Sequence, residues 1–379
     1  MDRNRTEKSI TAAPAARNPH APDPARRRAL ALLGGAASAL TLPGASAAPA
    51  GPERPRKRLG VSAACYGFRS RATEPAGDLS PFRDAMDFLE HCHRLGAGCL
   101  QVGVGGWQDA FAEKVRERRE TLGIALEGQI SLPKTETDVP RFEEEVRAAR
   151  EAGAAIVRTV CLGGRRYESF DSLEAFQAFR ERSWKSLTLA EPVVRKAKVA
   201  LAVENHKDWR VPELLDILRR LGSESVGVCL DTGNSISLLE DPMAVVEALA
   251  PFAFTTHFKD MDFRESTDGF LLSEVPLGEG VLDLRHIMET CEKHRPDIQF
   301  NLEMITRDPL RIPCLQEGYW PTFPDVAGRE LAAMLSRVRR SPQDRELPSV
   351  ANLSPEAKVR FEEENVKRSF AFARSHFGL

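Results

Sequence analysis

Four short runs in the second half of the chain end in groups that could do chemistry. Apolar residues give way to Glu204 in "LAVENH", Asp231 in "CLDTGN", His257 in "TTHFKD" and Glu303 in "NLEM". Brought to one place, three carboxylates and an imidazole form a ligand set for a divalent cation of the Mn, Co, Fe, Zn or Mg group. Without a cation, carboxylates so crowded would repel one another and take up protons. Singly, each has an ordinary explanation. Glu204 could lie at the surface, Asp231 could cap a turn, His257 could be a satisfied core histidine, and Glu303 could pair with Arg307. Equivalent placement at the ends of successive strands is what favours the chemical reading.

Neighbouring residues extend this candidate site. His206 lies two positions beyond Glu204, on the same side of an extended backbone, and could hydrogen-bond the oxygens of a substrate. Lys259 stands in the same relation to His257 and could steady developing negative charge. Lys207, Lys259 and Arg307 together would suit a carboxylate-bearing substrate. Trp107 and Trp320 offer faces on which a substrate ring could stack, although anchoring a loop is the commoner use of such residues. Trp320 sits in the long run "RDPLRIPCLQEGYWPTFPD", placed where loops often cover a substrate.

Eight near-continuously apolar segments must position these groups: 59–65, 99–105, 124–130, 155–161, 199–205, 226–231, 252–258 and 298–304. Their composition predicts parallel strands buried on both faces. Amphipathic stretches separate them. Ser80 and Pro81 offer a helix start before a run that closes on Gly96, and Gly153 closes another. The alternation predicts an α/β fold, a (β/α)8 TIM barrel over residues 59–340. A doubly wound sheet is disfavoured, because "GVGGWQ" lacks the spacing of a phosphate-binding turn. Residues 341–379 read as a C-terminal helical extension whose helix starts at Ser354-Pro355.

The 379 residues carry a formal net charge of −2, which argues against a nucleic-acid binder. Residues 1–48 have the three parts of an export signal: a basic lead ending in Arg26, Arg27 and Arg28, the apolar "ALALLGGAASALTLPG", and small residues around Ala45 and Ala47. The paired arginines resemble a twin-arginine signal, which implies a periplasmic protein. The apolar run is short and broken by glycines and Pro43, so no membrane contact is expected once it is cleaved. Residues 49–58 form a linker. Seven scattered cysteines with no CxxC pair suggest neither a disulfide framework nor a thiolate zinc site.

The motifs "AVENH", "CLDTGN", "THFKD" and "LEM" resemble the xylose isomerase-like barrel superfamily, which includes sugar isomerases, ketose 3-epimerases and class II AP endonucleases. That resemblance implies one divalent metal ion held by Glu204, Asp231, His257 and Glu303. It implies also that Glu204 and Glu303 act as acid and base on opposite faces of a substrate, through an enediolate. Asn234 stands where several members have a histidine, which weakens transfer of the sugar-contacting role. The second and third strands end in "VGVGG" and "EGQIS", without the histidines of the trinuclear endonuclease members, so DNA repair is disfavoured. The expectation is an exported sugar isomerase or epimerase acting on a small, non-phosphorylated carbohydrate, with no nucleic-acid partner and homo-oligomerisation open. Two alternatives stand beside it. One is a lyase or hydrolase of a keto-glycoside on the same site. The other is a non-catalytic carbohydrate-binding barrel.

Overall fold

Eight apolar runs become eight parallel strands in a computed structural model that describes residues 57–379. The export-signal reading at 1–48, and all but the end of the linker, lie outside the described residues. In chain order the strands are β1 (Gly60–Ser62), β2 (Cys99–Gly103), β3 (Ala125–Gln129), β4 (Ile156–Thr159), β5 (Ala200–Glu204), β6 (Val226–Asp231), β7 (Ala253–Phe258), β8 (Asp260–Ser266), β9 (Gly269–Val275), β10 (Gln299–Leu302) and β11 (Leu310–Ile312). Strands β1 to β7 pair in order, and β10 closes the ring between β7 and β1. Each of the eight predicted segments contains one barrel strand, and the fold is a closed (β/α)8 barrel.

The barrel interior is not wholly apolar. Gln101, Glu127, Thr255 and Asn301 are buried inside it, on β2, β3, β7 and β10. Glu127 Oε2 accepts hydrogen bonds from Gln101 Nε2 (3.1 Å), Thr255 Oγ1 (2.9 Å) and Asn301 Nδ2 (2.9 Å). Buried polar groups hold such a layer only when they find partners, and here Glu127 finds three. Glycine at position 60 makes room for it, since a Cβ there would lie 2.0 Å from Asn301 Oδ1.

Helices cover the outside, and their starts follow capping chemistry. Helix Ala85–Leu95 starts later than Ser80 and Pro81 predict. Asp84 is its cap, accepting from the backbone N–H of Met86 and Asp87, while the Ser80 carbonyl accepts instead from Arg69 Nε (2.9 Å). The expected end holds, with Gly96 in the left-handed region at φ 81°. The C-terminal segment is more integrated than an extension. Helix Pro355–Phe377 sends Arg374 to the Leu95 carbonyl and accepts Arg285 Nη2 at the His376 carbonyl (3.2 Å). It therefore fills the eighth place in the ring, between helices Leu284–His294 and Ala85–Leu95. Glu362 on the same helix accepts the backbone N–H groups of Phe68 and Arg69, and Glu363 pairs with the Arg69 guanidinium at 3.0 Å. A boundary at 340 cuts through this ring.

Helix Gly328–Arg340 lies instead on a small second sheet. Strands β8 and β9 form an antiparallel hairpin joined by β11, and Arg339 Nε donates to Glu265 Oε1 on β8 (2.8 Å). The run from Arg307 to Asp325 folds back over the barrel and is held by Arg166. That guanidinium lies 3.5 Å from the Phe176 ring centroid and 4.3 Å from that of Phe323. It donates to Thr322 Oγ1 (3.1 Å), to the Thr322 carbonyl and to Glu213 Oε2 (2.7 Å). Trp320 anchors this loop: its Nε1 donates to the Cys314 carbonyl (3.0 Å) and its ring packs on Tyr319. All seven cysteines are free. Among the described residues no helix is long and apolar enough to cross a membrane.

Candidate metal centre

The fold brings the four strand-end residues together. Glu204, Asp231, His257 and Glu303 each offer a ligand atom, and these atoms all lie within 4.8 Å of one another. His257 Nδ1 is 3.2 Å from Glu204 Oε2, 3.2 Å from Glu303 Oε1 and 3.9 Å from Asp231 Oδ2. Side chains stitch the rim at this point. Asn205 Oδ1 accepts from the Asp231 N–H and its Nδ2 donates to the Asp231 carbonyl, locking the end of β5 to β6. Thr232 Oγ1 accepts from the Lys259 N–H, tying β6 to the segment after β7.

Two buried atoms test whether a metal ion fits. His257 Nδ1 lacks a hydrogen-bond partner, and Asp231 Oδ2 meets only the Lys259 ammonium, at 2.8 Å, without a well-directed hydrogen bond. His257 Nε2 lies 2.7 Å from Gln101 Oε1, which also accepts from Gln129 Nε2 (2.8 Å), while the Gln101 amide nitrogen donates to Glu127. This chain makes Nε2 the protonated nitrogen and turns the Nδ1 lone pair toward the three carboxylates. Metal-bound histidines are commonly held by such a partner on the second ring nitrogen. The donor set fits a divalent ion that takes oxygen and imidazole ligands. Gln101→Leu should therefore weaken Mn or Zn binding by about 10–100-fold with little change in fold, read by competition with a fluorescent chelator. Unchanged affinity would detach Gln101 from this role.

The electrostatics also anticipate a cation. Burial alone would raise the Glu204 pKa, but Arg158 and His257 outweigh it and hold that carboxyl well below its usual range. Arg158 Nε donates to Glu204 Oε2 at 2.6 Å, and Asn234 Nδ2 donates to Oε1 at 2.9 Å. Burial likewise works against Glu303, and His257 with Lys259 overrides it, holding the carboxyl low. Lys259 Nζ sits 2.8 Å from Asp231 Oδ2 and 2.6 Å from Glu303 Oε2. Burial would discharge His257, but the Cys229, Glu303 and Glu204 side chains push its pKa well above the ordinary value. Before a metal binds, the imidazole thus carries a proton that the metal must displace. Affinity should rise with pH through the neutral range, approaching about tenfold per unit for one displaced proton. Calorimetry in buffers of different ionisation enthalpy would count that proton, and a pH-independent affinity would contradict the displacement.

The remaining predicted residues fall in different places. His206 is half-buried with its Nδ1 enclosed and unpartnered, and desolvation followed by Lys207 lowers its pKa to about 3, so it is neutral. Asn234 joins Glu204 to Lys207, whose Nζ donates to Asn234 Oδ1. Arg307 is already engaged, its Nε donating to Glu274 Oε2 (3.1 Å) in a two-point pair. This removes it from the free cations expected to meet a substrate carboxylate. Trp107 is half-buried and packs edge-on against Phe111 at the start of helix Asp109–Leu122. Arg158, Gln101, Glu127 and Glu274 were not read from the sequence. The first three carried a signal, a charged or amide residue inside an otherwise apolar strand.

A cleft of about 760 Å³ opens at this end of β2, β3 and β4, with Gln129 and Arg158 in its wall. Arg158 spans from it to Glu204, so the cleft reaches the buried cluster through one side chain.

Residues 122–321 match the xylose isomerase-like TIM barrel family. A 3-oxo-isoapionate decarboxylase from Pectobacterium atrosepticum is 26% identical over 248 residues, covering 63% of this chain and 82% of that protein. Among solved structures, D-psicose 3-epimerase in the presence of D-fructose superposes with a TM-score of 0.53 at 14% identity, covering 85% of this chain and 100% of the other. A xylose isomerase-like TIM barrel protein from Mycobacterium smegmatis in complex with magnesium gives 0.51 at 15% identity, covering 74% and 98%. At such identities the two structures share the fold alone.

Proposed function

Because the chain belongs to the xylose isomerase-like TIM barrel family, we propose that it is a divalent-metal-dependent isomerase or epimerase of a carbohydrate. The observation that carries this reading is the convergence of four ligand atoms within 4.8 Å, two of them from glutamates on the non-adjacent strands β5 and β10. A divalent ion held by Glu204, Asp231, His257 and Glu303 would supply the Lewis acidity that makes a C–H beside a carbonyl removable. The chain's residues would do the rest. Glu303 takes the proton, and the Lys259 ammonium at its Oε2 stabilises the negative charge that develops on the enediolate. Glu204 faces the centre from the other side and would deliver there a proton taken up from solvent, while Glu303 gives its own up to solvent. The four-residue cluster lies beneath the surface, where its charges act in a low dielectric. The export pattern of residues 1–48 supports a periplasmic location and a non-phosphorylated substrate. Deuterium from solvent should enter a ketose incubated with the metal-loaded protein, with the mass of the sugar skeleton conserved. A ketose panel that takes up no deuterium would remove this reading.

One observation favours a lyase on the same site. Arg158 holds Glu204 Oε2 and Asn234 holds Oε1, so neither oxygen is free to carry the proton that the second face needs. Loss of carbon dioxide from a β-keto acid leaves the C–C bonding pair on the carbon beside the carbonyl as an enediolate, with no C–H to break, and then needs one proton delivered. Lys207 suits that step: burial, with Lys259 next, brings its pKa down to about 8, close to the working range of a general acid. The Pectobacterium relative, a decarboxylase by name, points the same way. Product analysis separates the two readings, since a lyase releases carbon dioxide or a second fragment.

A further inference from the structure

We propose that the cleft between the ends of β2–β4 and helix Leu173–Ala197 is a subsite for a carboxylate, gripped by Arg182 and Lys134, so that the substrate is a carbohydrate acid. This rests on the proposed function only in taking the buried cluster as the reacting end. The cleft's charged wall residues are Lys134, Glu145, Arg158 and Arg182. Two of them are engaged elsewhere: Glu145 accepts from Arg141 Nη1 at 2.7 Å, and Arg158 is held by Glu204. Among the described residues neither the Lys134 ammonium nor the Arg182 guanidinium has a carboxylate within 4.0 Å, although the Lys134 backbone N–H donates to Asp138 Oδ2 (2.9 Å), so the wall has two uncommitted cations and no uncommitted anion. Ser131, Ser183 and Ser186 add hydroxyl groups to the same wall. At about 760 Å³ the space is of the size that encloses a small ligand.

A second cleft, of about 790 Å³, shows that this excess is not a general property of the surface. It is lined by four arginines: Arg166, Arg210 and Arg337 are paired with Glu213, Glu330 and Asp241 respectively, and the fourth, Arg340, is offset in the same wall by Asp325, which has no ion pair among the described residues.

The buried end asks for an anion as well. Glu204, Asp231, Glu274 and Glu303 are matched in number by Arg158, Lys207, Lys259 and Arg307, so once a metal has displaced the His257 proton these side chains sum to zero. A divalent ion then leaves two positive charges in excess, and one remains if one of the buried neighbours Glu127 and Asp208 is ionised. Such a field draws anionic ligands into the site. A carboxylate at Arg182 and Lys134 and a carbonyl end beyond Arg158 would place both halves of one substrate.

The test compares matched probes by calorimetry on the metal-loaded full chain at physiological ionic strength: D-glucuronate against D-glucose, and D-gluconate against D-glucitol. The acids should bind at least tenfold more tightly. In the surface variant Lys134→Glu with Arg182→Glu, the preference should vanish while metal content and neutral-sugar binding stay as in the wild type. Equal binding of acids and neutral sugars by the wild type overturns the proposal. So does a preference that survives charge reversal, because the metal would then be reading the carboxylate. Failure to take up metal with the acid preference intact would sink the proposed function and leave this subsite standing.

Discussion

Glu303→Ala should lower bound divalent metal from about one ion per chain to near none and cut turnover by ~10²–10⁴-fold. Three features make this residue the one to change. Its Oε1 lies 3.2 Å from His257 Nδ1, its Oε2 lies 2.6 Å from Lys259 Nζ, and it follows β10, three strands round the ring from Glu204. Removing it leaves the buried Lys259 ammonium with Asp231 as its remaining close carboxylate, so that lysine should hold Asp231 more tightly and compete with the ion. Glu303→Gln separates binding from proton transfer. The amide keeps one neutral oxygen toward the centre but cannot take a proton, so metal should be partly retained while turnover falls as far as in the alanine variant. Elemental analysis of the dialysed proteins reads the first quantity and deuterium wash-in the second. A full complement of metal in Glu303→Ala would end the four-ligand reading.

Arg166→Ala should destabilise the fold on the order of 3–5 kcal/mol, the scale for breaking a buried charged pair by removing one partner. The guanidinium is 2% exposed, packs between two aromatic rings, and satisfies both the Thr322 carbonyl and the Glu213 carboxylate. Its loss strands those acceptors and releases the loop from Pro313 to Pro324, which should then be cut by chymotrypsin, at Tyr319 or Leu315, ahead of the barrel. Arg166→Lys should recover little, because an ammonium can neither stack as a plane nor present a fork of donors. Denaturant titration followed by far-UV circular dichroism checks the magnitude. A loss below about 1 kcal/mol, the scale of an exposed ion pair, would contradict the clamp.

Much of this architecture was legible in the sequence, for a physical reason. Strands buried on both faces must be continuously apolar, so "VALAV" and "VGVCL" announce themselves, and the polar residue that ends each run marks the rim. The four candidate ligands were readable because each closes such a run. Their partners were harder to find. Glu274 meets Arg307 across 33 positions of chain, and nothing local in either residue's surroundings foretells the pair. The hairpin β8–β9 has a local signal: Thr267-Asp268-Gly269 lies between two runs of alternating residues, with Thr267 and Asp268 as the two-residue loop and Gly269, at φ 145°, opening β9. Gln101, Glu127, Arg158 and Asn301 were absorbed into apolar strands as exceptions. They are the residues that orient or hold the centre, and in a barrel the exception within a strand is as informative as its end.

The layer around Glu127 has a consequence for assembly. Its members come from β2, β3, β7 and β10, and they meet in only one mutual alignment of those strands. Slipping any one strand by a single residue turns its side chains to the opposite face. Gln101, Thr255 or Asn301 would then point out among the helices, and Glu127 would lose a donor deep in the interior. Each group so stranded costs about 1–3 kcal/mol. An all-aliphatic interior would tolerate several misaligned closures almost equally well, whereas this one ranks them. Closing the ring therefore proofreads four strands at once, before a metal ion or a substrate has arrived.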